Sequence, residues 1–479
     1  MSHTTYLEAG VLSFTEVFAA QQKAAIRLRN STAAERIAKL KKLMDAIKQH
    51  EHAFIEAIYA DFRKPRAEVI ATELLPTLMD ARHAIAHLPK WMQPKKVSTP
   101  ASLFGAKSYV QYEPKGVSLI IAPWNYPIYL VFGPLIYALA AGCTAIVKPS
   151  ELTPHTAAVI SRVIAQTFAP EEVACFEGGA EVSAALLELP FHHIFFTGSP
   201  AIGKIVMQAA AKHLSSVTLE LGGKSPAFVD ESADLKDAAE KLVWGKFVNN
   251  GQTCVAPDYL LVHCKQQEGL VGQIKNTIDQ YYNPDNQGIE HSSSYARIVN
   301  EKHFWRIHHL LTDALDKGAQ IAIGGKTIAE ERFIAPTVLT HVTSHMKIMQ
   351  EEIFGPVLPI VSYNTLEEAI DFVNSMDKPL ALYIFSKDDK KINQILKTTS
   401  AGGTCINDCI VHLANPCLPF GGINNSGLGK THGFYGFEAF SNPRAVLRQR
   451  VGFTTVKTLY PPYGEKIDNM LKMMRHFFA

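Results

Sequence analysis

Residues 116–147 read GVSLIIAPWNYPIYLVFGPLIYALAAGCTAIV, 32 positions without a formal charge. A membrane-spanning helix needs only about 20 apolar residues, so the run is either a span or a set of elements buried in a folded domain. Pro123, Pro127, Gly133 and Pro134 interrupt it, and Asn125 favours a turn. These residues divide it into a strand, a loop, a helix and a second strand, all buried. No integral membrane span is expected.

The same alternation continues outward. Apolar strand candidates are 117–122, 144–147, 173–176, 193–196 and 217–221, and helical stretches fall at 129–141, 154–168, 181–187 and 201–214. Strand and helix in strict alternation predict an α/β fold, a doubly wound parallel sheet with helices on both faces. Upstream, Ser13 with Glu16 and Thr32 with Glu35 are capping-box pairs that open two helices in the first sixty residues. Between Pro89 and Tyr112 the composition turns to Pro, Lys, Ser and Thr, an excursion from the main body. A second α/β unit begins near Ser225, with helices at 235–248, 295–317 and 366–374 and strands at 259–262, 357–361 and 381–385.

A chain of 479 residues divides into two or three domains. Apolar content of 47% with 19% charge marks a globular protein, and a net charge of +2 gives no reason to expect nucleic acid as a partner. His83 and His87 have helical metal-pair spacing but no third ligand nearby, so no metal site is expected. The seven cysteines include no C-x-x-C pair, which fits a reducing, cytoplasmic setting, and Cys405, Cys409 and Cys417 read as packing residues. Met1 to Thr5 show no basic-then-apolar leader.

Chemistry concentrates in Asn249-Asn250-Gly251-Gln252-Thr253-Cys254, a connection between a helix and a strand. A thiol in such a loop becomes a nucleophile if its proton is easily lost, and is otherwise a small apolar residue. Motifs after the strands of the first sheet carry similar alternatives. Asn125, fixed between prolines, can hydrogen-bond a developing oxyanion or simply make a turn. Lys148 with Glu151 can hold ribose hydroxyls or form a solvated pair. Thr197-Gly198-Ser199, with Gly203 beyond, lets backbone amides at a helix start approach phosphate, although no G-x-G-x-x-G is present. Glu220, before Gly222-Gly223, can act as a general base or close a salt bridge. Glu352 and Phe354 stand in a rigid turn, as do Phe420 and Gly421.

In this order, from about residue 10 to residue 445, the motifs resemble those of the aldehyde dehydrogenase superfamily, most closely family 3, which includes fatty and coniferyl aldehyde dehydrogenases. The Gly251-to-Tyr259 wording and Asn424-Asn425-Ser426-Gly427-Leu428-Gly429 carry the family 3 likeness. The resemblance implies Cys254 as nucleophile, Asn125 with the Cys254 N–H as oxyanion holders, and Glu220 as base, a role Glu352 can share. It implies NAD, NADP or both as cofactor, held by Trp124, Lys148, Glu151, Thr197, Gly198, Ser199, Gly203, Leu221, Glu352 and Phe354. Glu151 should repel a 2′-phosphate that Lys148 could accommodate. Tyr126, Trp244 and Thr253 are the implied walls of a pocket for a small-molecule aldehyde, medium- or long-chain aliphatic or aromatic. The implied product is a carboxylic acid, reached through a thiohemiacetal and a thioester; relatives that transfer the acyl group to coenzyme A generally lack the carboxylate base.

The implied organisation is a cofactor domain over 1–90 and 112–222 and a catalytic domain over 223–402 with part of 418–445. An oligomerisation arm over 91–111 and 403–417 would build a homodimer, and 446–479 forms a tail. In the tail Ile467, Met470, Leu471, Met474 and Phe478 make an apolar helical face beside Lys466, Lys472 and Arg475. It is expected to pack on its own subunit or a dimer mate, with peripheral membrane docking as the alternative.

Overall fold

Val117–Ile121, five consecutive buried residues, is the strand about which the first sheet is wound. The computed structural model describes residues 13–478, so Met1 to Thr5 lie outside the described residues. Six strands lie side by side in the order Gly427–Leu428, Ser216–Leu221, His193–Gly198, Val117–Ile121, Thr144–Lys148, Val173–Cys175. All pairings are parallel except that of the two-residue edge strand. The chain steps outward from Val117–Ile121 to Val173–Cys175, then returns to the opposite flank with His193–Gly198. Winding reverses there, and open α/β sheets bind ligands at the carboxyl ends of such strands.

The uncharged run resolves into the strand, loop, helix and strand expected of it. Helix Tyr129–Ala141 is buried on nearly every side, which is why it carries no polar face. Among the described residues no helix is long and apolar enough to cross a membrane. The helix stops at Gly142, whose φ of 89° suits glycine. A Cβ there would lie 2.6 Å from the Arg36 guanidinium, which donates to the carbonyls of Ala140 and Ala141 at 3.1 and 2.6 Å. One buried cation thus closes the carboxyl end of a buried helix.

The second sheet has seven strands, in the order Gln320–Ile323, Thr337–Thr340, Val357–Tyr363, Tyr259–His263, Pro226–Val229, Ala381–Phe385, Gly403–Ile406. It is parallel apart from its first strand. A third, antiparallel sheet joins Lys95–Val97, Lys107–Pro114 and Ser441–Arg448, so the excursion after Pro89 is a small arm.

Several expectations need correction. Among the described residues up to Phe62 there are three helices, Phe14–Leu28, Ala33–Gln49 and Glu51–Phe62, because the backbone leaves helical geometry at His50 without a Gly or Pro to signal it. Both capping boxes form. The helix expected over 295–317 begins only at Glu301, capped by Asn300, because the backbone of 296–299 bonds elsewhere, as described below. Of segment 403–417, Gly403–Ile406 pairs with Ala381–Phe385, while the arm's third strand comes from Ser441–Arg448. In 418–445, Gly427–Leu428 extends the first sheet, and helix Gly433–Ala439 packs on helices of that same half. Cys409 is buried, but Cys417 is exposed and so does not pack. On helix Glu465–Phe478 Ile467 and Met470 are half-buried, whereas Leu471 is 41% and Met474 38% exposed; the Phe478 side chain lies outside the described residues.

Arg36→Met should cost about 2–3 kcal/mol, since two buried carbonyls lose a charged donor. Urea unfolding should report that loss while kcat stays near wild type.

Candidate active site

Helix Leu235–Phe247 ends, and the chain makes three successive left-handed residues: Asn249 (φ 55°), Asn250 (φ 58°) and Gly251 (φ 73°). Asparagine tolerates this region better than other side chains, and glycine enters it freely, so the wording Asn-Asn-Gly follows from the backbone path. A Cβ on Gly251 would stand 2.4 Å from the Gly355 carbonyl oxygen. That close approach sets the Glu352–Phe354 turn against the cysteine loop.

The loop is dry: Asn249, Asn250 and Gln252 are buried completely. Neighbours meet most of their polar groups, Asn249 Oδ1 and Asn250 Oδ1 excepted. The Asn250 carboxamide donates to the Ala296 carbonyl at 3.0 Å, and that of Gln252 donates to the Arg297 carbonyl at 3.0 Å. Val299 N–H donates to Gln252 Oε1 at 3.0 Å. Segment 296–299 spends its backbone groups on the loop and so cannot be helical.

Asn125 follows the strand Val117–Ile121, and two bonds tie it to the same loop. Its Nδ2 donates to the Gln252 carbonyl at 3.0 Å, while Asn249 Nδ2 donates to the Asn125 carbonyl at 2.9 Å. The carboxamide has a second N–H to offer. Next to it, the Tyr126 hydroxyl shares a 2.7 Å hydrogen bond with Thr253 Oγ1. Tyr126, Trp244, Thr253, Cys254 and Glu220 all line one cavity of about 220 Å³. Its walls are mostly aliphatic and aromatic, and Trp244 is 39% exposed.

Glu220 enters from the strand Ser216–Leu221, in register with Thr197 on one side and Gly427 on the other. It is buried, and neither carboxylate oxygen has a hydrogen-bond partner. Burial pushes its carboxyl well above the ordinary range, with Lys430 pulling the other way. Lys430 itself donates to the carbonyls of Gly402, Gly421 and Gly422. Burial, then the charges of Glu352 and Glu220, push the Cys254 thiol up to about 12. Burial, reinforced by Asp258, raises Glu352 to about 8, against the opposing pull of the Gly223 N–H, Lys224 and Arg306. Burial favours the neutral form of all three, and a charge on either carboxylate opposes ionisation of the thiol.

A second set of residues surrounds the crevice of the first sheet. Lys148 Nζ meets Glu151 at 2.7 Å at the end of Thr144–Lys148. Ser199 caps helix Pro200–His213 by accepting from the Ile202 N–H. Gly203 lets that helix approach Leu221, since a Cβ there would lie 2.8 Å from the leucine side chain. Thr197 Oγ1 is buried without a partner, and Gly198 sits where a Cβ would strike Phe196. An ion pair, a helix N-terminus and an orphaned hydroxyl at the switch point suit the ribose and phosphates of a dinucleotide. Trp124 packs edge-on against Phe354, with ring centroids 5.3 Å apart, and His303 lies beside it at 5.2 Å. No hydrogen bond joins the Lys148–Glu151 pair to the thiol loop among the described residues. His83 and His87, read for a metal, stack on each other at 4.1 Å.

Sequence reasoning missed the groups that hold these motifs in place. Lys224 pairs with Asp258 and donates to the carbonyls of Ile348 and Glu351 at 2.7 and 3.0 Å, and Arg306 donates to those of Glu352 and Ile353. Asp80, Tyr129 and His432 form a polar chain at one end of the cavity, Tyr129 Oη lying 3.0 Å from both Asp80 Oδ2 and His432 Nε2. Only the Gly-Gly-Lys wording at 222–224 signalled any of them.

Gly251→Ala should lower kcat at least tenfold, because a strained φ and the Gly355 contact both shift the loop. Steady-state kinetics beside a thermal melt checks this.

The sequence profile of the aldehyde dehydrogenase family matches residues 5–446. The 4,4'-diaponeurosporen-aldehyde dehydrogenase of Staphylococcus aureus is 48% identical over 92% of this chain and 93% of its own length. Aldehyde dehydrogenase family 3 member A2 of Rattus norvegicus is 43% identical, covering 90% and 87%. An aldehyde dehydrogenase of Canis lupus familiaris, described as dimeric and NADP-preferring, is 41% identical, covering 92% and 94%. Among solved structures, a substrate-bound Staphylococcus aureus AldH superposes with a TM-score of 0.92 at 45% identity, covering 98% of this chain and all of that one. The NAD+ complex of a Bacillus cereus aldehyde dehydrogenase gives 0.81 at 28% identity, covering 94% and 93%.

Proposed function

The chain belongs to the aldehyde dehydrogenase family and oxidises aldehydes with NAD or NADP, and from that premise we propose that Cys254 is its nucleophile, Asn125 its oxyanion donor and Glu220 the base that finishes the reaction. The observation that supports this most is the shared cavity. A thiol and an unpartnered carboxylate, delivered by different sheets, open onto one apolar space beside a carboxamide already locked to the thiol's own loop.

In this reading Cys254 gives up its proton to Glu352, which leaves Glu220 ionised for the second half of the reaction, and the thiolate adds to the aldehyde carbon. The free N–H of Asn125 and the Cys254 backbone N–H hold the tetrahedral oxygen, with no reorganisation needed at the moment of attack. A nicotinamide bound there would accept the hydride lost from the aldehyde carbon, which leaves a thioester on Cys254. Glu220 then removes a proton from water as it attacks the thioester, and the carboxylic acid leaves. Lys148 and Glu151 hold the adenosine ribose, Thr197, Gly198, Ser199, Gly203 and Leu221 flank the pyrophosphate, and Trp124, Glu352 and Phe354 contact the nicotinamide riboside. The apolar walls favour medium- or long-chain aliphatic or aromatic aldehydes.

We assign the arm built on Lys107–Pro114 and Ser441–Arg448 to a homodimer; the exposed strand Lys95–Val97 at its edge and the dimeric description of the canine relative support this. The tail helix, with Lys466, Lys472 and Arg475 beside the exposed Leu471 and Met474, is assigned a contact outside its own subunit.

Cys254→Ala should abolish cofactor reduction across an aldehyde panel, and broad activity without that sulfur would refute the reading. Glu220→Gln should keep a burst of reduced cofactor while steady turnover falls about 10²- to 10⁴-fold, with labelled acyl-enzyme accumulating on Cys254. The wild type should release the free carboxylic acid with or without coenzyme A, and no acyl-coenzyme A should form.

The electrostatics give a signed pH test. Glu220 acts in its ionised form, and its raised pKa makes kcat climb with pH above the ordinary carboxylate range. Lys430 lowers that pKa, so Lys430→Met should move the rising limb to higher pH. For cofactor choice, Glu151→Gln should raise kcat/KM for NADP relative to NAD, since a carboxylate beside the ribose no longer repels a 2′-phosphate.

A further inference from the structure

Behind the catalytic loops lies a buried charged cluster from a part of the chain with no catalytic motif. Lys64 and Glu73 form an ion pair at 2.7 Å in which both side chains are 0% exposed. Burying such a pair costs solvation and is weak as a source of stability, so its partners matter more than its mere presence. Glu73 uses its second oxygen to accept the Ile128 N–H at 2.8 Å, at the end of the turn that carries Asn125 and Tyr126. The Lys64 ammonium sits 3.9 Å from the centre of the Tyr126 ring, a contact worth most when dry. Tyr126 in turn bonds Thr253, the residue before the thiol. Glu68 accepts the Asn249 N–H at 2.9 Å, at the first of the three left-handed residues.

The local backbone is unusual where these side chains leave it. Between Arg66–Val69 and Leu75–Trp91 the helix widens into a π turn, Ile70–Leu74. A π turn inserts a residue and rotates the face that follows, which is why such turns are found at functional sites. Here Glu68, ahead of the turn, reaches the thiol loop, and Glu73, within it, reaches the Asn125 turn.

We infer that Lys64, Glu68 and Glu73 are positioning residues for the reaction: together they hold the Asn125 turn and the Cys254 loop in the register that places the oxyanion donors. Glu73 and Lys64 fix the first loop, Glu68 fixes the second, and one π-bulged helix sets the distance between them. None of the three touches the cavity. Their effect on rate passes through Asn125, Tyr126 and Asn249. The inference rests on the roles proposed above for Cys254 and Asn125.

A double-mutant cycle on the full chain separates positioning from general support of the fold. Glu73→Gln should lower kcat about tenfold or more, the scale of a misplaced catalytic group, with KM for NAD unchanged. In an Asn125→Ala background the same change should cost less than twofold, because the group it positions is gone. Equal losses in both backgrounds, or no loss in either, overturn the inference. If Glu73→Gln is unstable, the pair Lys64→Met with Glu73→Leu restores apolar packing without the charges. That variant should melt near wild type and still lose kcat; full activity in it would overturn the inference. Glu68→Gln, at a half-buried position, should lower kcat and slow alkylation of Cys254 by iodoacetamide, and an unchanged value of both would remove Glu68 from the set. Activity retained in Cys254→Ala would instead refute the proposed function, so the two failures are distinguishable.

Discussion

A buried peptide group must find a partner, and the loop Asn249–Gln252 is where this protein meets that demand most severely. Three consecutive left-handed residues lead to a thiol at the meeting point of two sheets, and Asn249, Asn250 and Gln252 are fully buried as they do so. Nearly everything nearby exists to satisfy or wedge that loop. Segment 296–299 forgoes a helix to supply two carbonyls and an N–H. Asn125 is bonded to the loop through both its side chain and its backbone. Gly355 comes close enough to exclude a Cβ, which brings Glu352 and Phe354 with it.

The dryness that makes the loop rigid also sets its chemistry. Cys254, Glu220 and Glu352 are all pushed toward their neutral forms by burial, and each carboxylate opposes ionisation of the thiol. Carboxylates whose affinity for a proton is raised in this way suit a reaction that needs a base. Lys430, Lys224 and Arg306 stand at the rim, bonded chiefly to backbone carbonyls, and temper the field without forming a tight pair with Glu220.

Much of this was legible in order along the chain. The alternation of apolar strands and helices from Val117 to Leu221 specified the first sheet, with boundaries off by a residue or two, because strands buried on both faces must be continuously apolar. The motif residues lie at strand ends, where a parallel sheet gathers its ligands, so their clustering followed from the pattern. The break at His50, the non-helical 295–300 and the arm strand Ser441–Arg448 had no local signal. The last two depend on partners distant in sequence, the loop Asn249–Gln252 and the strand Lys107–Pro114.

The amino-acid order by itself determined the fold class, the cysteine-bearing connection between helix and strand, and the reactive residue types available, because periodicity, glycine placement and reactive side chains are local properties. Only the tertiary structure decided which oxygen of Glu73 meets which N–H, why a fully buried lysine is tolerated beside Tyr126, and how far the thiol and both acids are pushed from their ordinary ionisation. Those outcomes are set by distance and dielectric between segments far apart along the chain, and neither quantity is written in any single stretch of it.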